Sequence, residues 1–494
     1  MEDNMKLLSK NLVIALLLLL SAGARAQIWQ FTGSLSEPKR TGVLVTLPNQ
    51  TAIYVGGADA SGFPLAACEL YDPATAVWTL AAPMQVGRER HTVTQLADGR
   101  LVSIGGNTSM DYDMSQPTGS IEIYDFASNT WLNGGSLALA RQNHTATLLN
   151  DGTILITGGY DGSNVLTSCE IYDPSTQTCH TVAPMLLARH DHSATLLPDG
   201  RVLVVGGRDG GSGSDYFSES EIYDPVSNTW NATGSMNQSR IKGSLVTFSD
   251  GTVLASGGRN SPSTCAPGSE ILFGDYSTWA STSAMMEPAT WNGSSLLAGD
   301  RFLVTGGLID DVTGTSFTGD MTPTCEWYDK PNQRWFFAPQ LNIQRSYHGQ
   351  CLLHQTVNSS LPEDMILVAG GITGDYSFTQ TSEVLDVTDH ALLTYEAMPQ
   401  NFAAVTAPNA PNSIASIKIS SSNQPMLQLQ LEGPATVSWE IMSSTGRTIT
   451  PNQTANFSMG SFSIPLNSNQ SSGIYFVRVT VGSTITTLKY GILQ

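Results

Sequence analysis

The sequence predicts an all-β protein: a seven-bladed β-propeller followed by a small C-terminal β-sandwich. Three observations carry that reading. First, an apolar run ending in a glycine pair occurs seven times, as in Thr153-Ile-Leu-Ile-Thr-Gly-Gly159. The other copies end at Gly57, Gly106, Gly207, Gly258, Gly307 and Gly371, spaced at roughly 50 residues, a period of blade-sized repeats. Second, only 13% of residues are charged, and helical periodicity is absent beyond the first 25 residues. Third, four landmarks recur in phase with the glycine pairs, so each copy is one structural unit.

The chain opens with an address. Lys6 and Lys10 precede the apolar run from Leu12 to Leu20, and Ala24-Arg-Ala26 follows. A basic start, a short apolar core and small residues at the end read as a secretory signal over residues 1–26. The run is too short to span a membrane comfortably, and no later stretch approaches one.

Residues 27–398 hold the repeats. A Trp slot contains Trp29, Trp78, Trp131, Cys179, Trp230, Trp279 and Trp335. Thirteen residues on lies a His slot, with Gly42, His91, His144, His192, Gly243, Asn292 and His348. The glycine pair comes next, then a Glu: Glu69, Glu122, Glu170, Glu221, Glu270, Glu326 and Glu383. Each unit resolves into four strands. Strand a follows the His slot, and an Asp-Gly turn such as Asp151-Gly152 suits a tight hairpin. Strand b is the apolar run, whose lack of alternation implies cover on both faces. Strand c carries the Glu, and strand d the Trp slot. One such sheet cannot bury both faces alone, whereas seven around an axis can. Closure then needs a strand d for the last blade. Trp29–Leu35 and Leu392–Met398 are the two candidates, and the N-terminal one is expected to lock first residues to last, since an open edge invites aggregation.

Residues 399–412, rich in Pro, Ala and Asn, form a linker within 399–413. Alternating segments at 414–420, 426–432, 437–442, 473–480 and 484–490 then predict the sandwich over 414–494.

Composition excludes some partners. With 23 Lys and Arg against 42 Asp and Glu, the net charge is −19, so nucleic acid is not an expected ligand. The six cysteines include no C-x-x-C pair. Cys68, Cys169 and Cys325 occupy one position in three blades, too far apart to bridge, and read as buried thiols.

In up-and-down blades the b–c and d–a loops share one mouth. The longest b–c loops span 107–120, 208–220 and 308–324. Their aromatic and acidic residues are the expected ligand-binding set: Tyr112 and Asp113; Asp215, Tyr216 and Phe217; Asp311 and Phe317; and, in the last blade, Asp375 and Tyr376. Such groups suit sugar rings. Arg88, Arg141, Arg189, Arg240 and Arg345 lie three residues before the His slot and are expected to pair with the repeat Glu and staple adjacent blades. The recurring His are expected to be structural. Asp209 to Asp215 lacks the full spacing of a calcium loop. No Gly-x-Ser-x-Gly elbow, His-Glu-x-x-His or phosphate loop occurs, so no catalytic residue, metal or cofactor is assigned.

Through the glycine pair, the Glu-x-Tyr-Asp phrase and the spaced Trp, residues 28–398 resemble the kelch-repeat, galactose-oxidase-like propellers. Leu272 and Leu385 depart from the Tyr, and Leu392 from the Trp. The likeness includes copper-radical oxidases, yet their two Tyr, two His and crosslinked Cys do not map onto residues here. Ser444-Thr-Gly-Arg447, Ser472-Gly-Ile-Tyr-Phe-Val-Arg-Val479 and Lys489 resemble the C-terminal sorting domain of the type IX (Por) secretion system. That resemblance implies a Gram-negative owner, passage through the type IX machinery, and a secreted or surface-held product. The function expected is a binding module for a glycan or a cell-surface protein. The alternative is a secreted carbohydrate-active enzyme, an oxidase or sugar epimerase, on the same frame.

Overall fold

The computed structural model describes residues 28–388, apart from 111–114, 211–214, 263, 310–319 and 355–363, together with seven strands between 414 and 492. The signal segment and the 399–413 linker lie outside the described residues. Seven four-stranded antiparallel sheets form the propeller. Blade 1 comprises Val43–Thr46, Ala52–Val55, Cys68–Asp72 and Val77–Ala81, as strands a to d in that order. Blades 2 to 6 repeat it. Strand b is buried along its length in every blade, apart from its first residue in blades 6 and 7, as its unbroken apolar pattern requires.

Blade 7 takes strands a to c from Gly349–His354, Asp364–Ala369 and Ser382–Asp386. Its strand d is Gln30–Phe31, which pairs antiparallel with Val384 and Glu383. The N-terminal segment therefore closes the ring. The indole of Trp29 donates to the Pro339 carbonyl at 2.8 Å, which fixes the closing strand to blade 6 as well.

The seams between blades are built by the repeated residues. Each Arg three residues before the His slot sits on the crossover between blades. Its main-chain carbonyl accepts the amide of the second glycine of the preceding blade, as in Gly57 to Arg88 and Gly106 to Arg141, both 2.9 Å. Its side chain turns the other way. Arg88 Nη1 donates to the Gly105 carbonyl at 2.9 Å and Nη2 to Glu122 at 2.6 Å, with Arg88 fully buried. The two free lone-pair directions of Glu122 take the crossover amides of Gln85 and Val86. Arg141–Glu170, Arg189–Glu221, Arg240–Glu270 and Arg345–Glu383 repeat the arrangement. Lys39–Glu69, at 2.5 Å, is a sixth pair at the same place, one that attention to arginine alone overlooks.

The glycine pair is part of this seam. A Cβ on Gly158 would meet the Arg189 carbonyl at 2.4 Å, and one on Gly159 would meet the Gln142 carbonyl at 2.7 Å. Both glycines also have positive φ, 58° and 100°, which side-chain-bearing residues adopt at a cost.

Blade 6 breaks the pattern. Ala289 stands where the cation belongs, so buried Glu326 receives only the amides of Met286 and Glu287, each at 2.8 Å. Burial pushes the Glu326 carboxyl up to about 8, against the pull of those amides, and the nearby Glu287 adds to the rise.

A second contact recurs at the position that three of the cysteines occupy in other blades. The indoles of Trp78, Trp279 and Trp335 donate to Ser382, Ser220 and Ser269 of the preceding blade, at 2.9, 3.2 and 2.9 Å. Each of those serines directly precedes a repeat Glu. In three blades the same position holds Cys68, Cys169 or Cys325, all buried and unpaired. Trp131 lies beside Cys68 and Trp29 beside Cys325. Where the Trp slot holds Cys179, the position it faces is apolar Ile121, and both join one cluster.

Beyond the propeller, Ile414–Ser420, Met426–Leu431 and Gly460–Pro465 form a three-stranded sheet. Thr448–Phe457, Ala435–Ser443, Gly473–Val481 and Thr484–Ile492 form a four-stranded one. Two of these seven strands, Thr448–Phe457 and Gly460–Pro465, are additional to the five expected. The first carries Pro451 and is an edge strand, where proline is tolerated.

Two predictions follow from the seams. In its folded state Glu326 stays protonated to about pH 8, whereas the unfolded carboxyl ionises near 4.5. Between those values only the unfolded chain releases the proton, so stability falls as pH rises, by at most about 1.4 kcal/mol per pH unit. Denaturant unfolding at pH 6.5 and 8 should show this decline in the parent chain and a flatter response in Glu326→Gln. Glu122→Gln, which strands buried Arg88, should instead lose about 3–5 kcal/mol at both pH values. Separately, Cys68→Ser should be tolerated within about 1 kcal/mol, because its hydroxyl offers Trp131 an acceptor. Ile121→Ser, which faces no indole, should cost about 2–5 kcal/mol. Equal costs would show that the indole does not read this position.

Candidate functional site

The blade order places b–c and d–a loops at one mouth, and short bridges tie them together there. Asn107, just after a glycine pair, pairs with Glu89 of the d–a loop and with Pro117 of the b–c loop. Gln142–Tyr160–Val165 and His190–Arg208–Tyr216 do the same in the next blades.

Inside this layer runs a ring that one residue per blade supplies. Thr41, Arg90, Asn143, Asp191, Lys242, Trp291 and Tyr347 each precede the His slot, and all have φ between 51° and 58°. That left-handed conformation is uncommon for non-glycine residues and strained for bulky ones. Hydrogen bonds around the ring hold it. At five seams the amide of one ring residue donates to the carbonyl of its predecessor, for example Asn143 to Arg90 at 3.2 Å and Lys242 to Asp191 at 3.0 Å.

The ring is chemically two-sided. Across blades 3 to 5, Lys242 Nζ lies 2.7 Å from Asp191 and 3.1 Å from Asn143 Oδ1. His190 and Arg208 also approach Asp191, at 3.2 and 3.3 Å. Burial alone would raise the Asp191 carboxyl, but Lys242, His190 and Arg208 together hold it well below the usual carboxylate range. Glu89 accepts the Thr41 hydroxyl at 3.0 Å and lies 3.5 Å from Arg90. On the opposite side, Trp291 and Tyr347 stack with centroids 4.8 Å apart. Arg259 lies over Trp291 at 5.3 Å, and Arg40 over Phe378 at 4.9 Å. Leu308, Met321 and Ile372 form the apolar base beneath these aromatics.

Under the ring sit His91, His144, His192 and His348, all buried. His144 Nε2 is 3.1 Å from Thr92 of the preceding blade, and His192 Nε2 is 3.0 Å from Thr145 and Thr157. Burial, reinforced by Arg88, Arg189 and Arg345 respectively, pushes His91, His192 and His348 down to about 3. His144 also falls well below its ordinary value, from burial and then Arg141. Among the described residues, no group of three or more His, Cys, Asp and Glu is arranged to hold a metal.

The loop residues expected to bind ligand take varied places. Tyr112, Asp113, Asp311 and Phe317 lie outside the described residues. Phe217 is half-buried with the Arg189 guanidinium 5.5 Å from its ring centre. Tyr216 is half-buried beside Arg208, and Asp215 is exposed. Asp375 accepts Thr373 Oγ1 at 2.5 Å and Ser377 Oγ at 2.7 Å, a local turn that lowers its carboxyl to about 2. Tyr376 is 50% exposed at that turn. The structure thus brings Tyr216 close to the inner ring and leaves Asp375 and Tyr376 at a loop tip. The inner ring itself was not singled out from sequence. Its signal was available: it is the column that varies most between repeats, directly beside the one that holds histidine.

Two hollows differ in position. One of about 440 Å³, lined by Arg201, Asp224, Asp275 and Tyr276, lies among the c–d turns on the other face. Its Asp224 and Asp275 carboxylates accept hydrogen bonds within their own turns. A second, of about 270 Å³, opens at the mouth between blades 2, 3 and 4.

Comparison with known proteins agrees with the fold. The KLHDC2/KLHL20/DRC7 Kelch-repeats domain matches residues 41–258. No curated protein matches the chain's sequence. Among solved structures, a fungal alcohol oxidase of the AA5 family, in complex with copper, is similar with a TM-score of 0.58 and 12% identity. That likeness covers 95% of this chain and 100% of the oxidase chain. At such identity it speaks to the fold alone, and 522 solved chains share a likeness of this kind, so it selects no activity.

The buried imidazoles should remain neutral across ordinary pH. Ring-proton resonances of His91, His144, His192 and His348 should not shift between pH 5 and 8. A midpoint near 6.5 for any of them would place that imidazole in contact with water.

Proposed function

From a chain that carries a kelch-repeat, seven-bladed propeller, we propose a recognition module that grips a glycan at its b–c/d–a mouth. A single observation carries the reading. The positions that build the blades repeat: six cations, seven Glu, seven glycine pairs. The ring residues, held in one backbone conformation, do not repeat: Thr, Arg, Asn, Asp, Lys, Trp and Tyr. Construction accounts for the shared conformation and leaves the side chains unexplained. A ligand on the axis accounts for them, because rigid frames concentrate recognition in variable positions.

The chemistry favours a sugar. A stacked Trp–Tyr pair, with Arg259 over Trp291 and Arg40 over Tyr347, offers an aromatic rim to C–H groups, and the Asn143–Asp191–Lys242 network opposite offers fixed donors and acceptors for hydroxyls. Among the described loop residues, Asp215, Tyr216, Phe217, Asp375 and Tyr376 would extend the same surface. In this reading the leader and the C-terminal sorting segment deliver the module through type IX export to the cell exterior or surface.

A glycan array with the purified chain tests it. Binding should weaken severalfold, up to about tenfold, in Trp291→Ala and in Tyr347→Ala, the contribution expected of one aromatic contact. Unchanged binding in both would move the site off the axis. Capture of a surface protein with no glycan bound would make the partner a protein. Stoichiometric copper with alcohol oxidation would make the chain an oxidase.

A further inference from the structure

The inner layer of the mouth runs against the charge of the chain. Three columns build it, with one residue per blade in each: the residue after the seam cation, the ring residue, and the residue after the glycine pair. Backbone bridges tie the first column to the third, as in His190–Arg208 and Ile241–Arg259. In a chain of net charge −19, these columns hold Arg40, Arg90, Arg208, Lys242 and Arg259 against two carboxylates, Glu89 and Asp191.

Burial sorts the two signs. The Glu89 and Asp191 side chains are 4% and 5% exposed, whereas those of Arg90, Lys242 and Arg208 are 19%, 30% and 33% exposed. A ligand arriving from solvent therefore meets cations before carboxylates. Asp191 is also shared between three groups: Lys242 at 2.7 Å, His190 at 3.2 Å and Arg208 at 3.3 Å. Lys242 makes the close ion pair. The Arg208 contact is longer than the roughly 2.7–2.9 Å of a charge-assisted hydrogen bond. Among the described residues, Asp191 is the sole carboxylate that Arg208 meets. Arg40 and Arg259 lie elsewhere, against Phe378 and Trp291 on the aromatic side.

Arg90 and Arg208 both line the hollow of about 270 Å³ between blades 2, 3 and 4. With Lys242 beside them, three cations stand there against the two carboxylates, a surplus of one positive charge. A singly charged group balances that surplus, and a planar carboxylate matches the guanidinium fork with two parallel bonds. The acidic residues of the surrounding loops, Asp59, Asp161, Asp209 and Asp375, accept hydrogen bonds within their own loops and do not line the hollow. The volume lies below the roughly 300–1,000 Å³ typical of drug-sized ligands, so a single ring fits better than a peptide segment.

We infer that the glycan taken at this mouth is acidic, and that one uronate ring seats in the hollow with its carboxylate on the Arg208 guanidinium. Arg90 is the second cation of the same hollow. The inference rests on the mouth being a glycan site, and it adds the charge class of the glycan and the position of its acidic residue.

Calorimetry on the full chain tests it, with oligomers of galacturonate, glucuronate, mannuronate and guluronate as probes. Each is set against its methyl ester, which keeps the rings and removes the charge. At least one uronate oligomer should bind about tenfold or more tightly than its ester, the contribution of a hydrogen bond to a charged group. Arg208→Gln should abolish most of that preference, leave the ester's affinity unchanged and leave the unfolding midpoint unchanged. Arg208→Lys should restore part of the preference. Arg201→Gln, the same change of charge on the opposite face, should alter neither affinity. Equal or tighter binding of the esters overturns the acidic class while the mouth stands. An acid preference that survives Arg208→Gln removes the carboxylate from this hollow. Binding of sulfated oligosaccharides but of no uronate overturns the carboxylate. If the parent chain binds no glycan of either charge, this inference and the glycan reading of the mouth both fall.

Discussion

Six of the seven seams of the propeller depend on a buried cation with two directions of contact. Through its main chain it receives the second glycine of one blade. Through its side chain it holds the first glycine's carbonyl and the Glu of the next. A guanidinium can do this because its fork supplies several donors in one plane, and the carboxylate it meets is otherwise filled by crossover amides. A buried ion pair is not by itself a source of net stability. Its worth here is geometric: it fixes where each crossover lies, and the crossovers set the radius at which the next first strand meets the axis. The glycine pair is the other half of the same constraint, since a side chain there would occupy the place of the neighbouring carbonyl.

That rigid seam leaves the residue two positions after each cation in a left-handed turn at the axis. Its backbone is committed to the ring, and its side chain is free to differ. The result is an inner collar with an acidic–basic network on one side and stacked aromatics on the other, over a layer of neutral histidines. The histidines stay uncharged because they are buried beside the same cations. The collar is thus a chemically asymmetric surface mounted on a nearly symmetric support.

Much of the support was legible in the sequence. The glycine pairs, the Glu and the Trp slot recur in phase, and the fully buried strand b follows from its apolar run. Closure by Trp29 and its neighbours followed from a strand d with no blade before it. Lys39 was overlooked because it breaks the arginine pattern while keeping the charge. The link between Cys68 or Cys325 and a tryptophan one blade away was not legible, since it joins positions far apart in sequence and appears only when the seam is assembled. The axial ring was hidden for another reason. Recognition was sought in long loops with aromatic residues, whereas Trp291 and Tyr347 sit in short crossovers whose length does not vary. Edge strand Thr448–Phe457 was masked by its proline and its polar composition.

If the cation is what holds each seam, the seam without one should open most readily. Gly258 donates to the carbonyl of Ala289 at 2.9 Å, like its six counterparts, yet Ala289 brings no guanidinium or ammonium to that seam. Native-state hydrogen exchange of the second-glycine amides Gly57, Gly106, Gly159, Gly207, Gly258, Gly307 and Gly371 measures this directly. Gly258 should exchange fastest, with the other six close to the rate of global unfolding. Protection at Gly258 equal to or greater than the others would contradict the account, and would mean that packing between the sheets, not the buried cations, sets the frame.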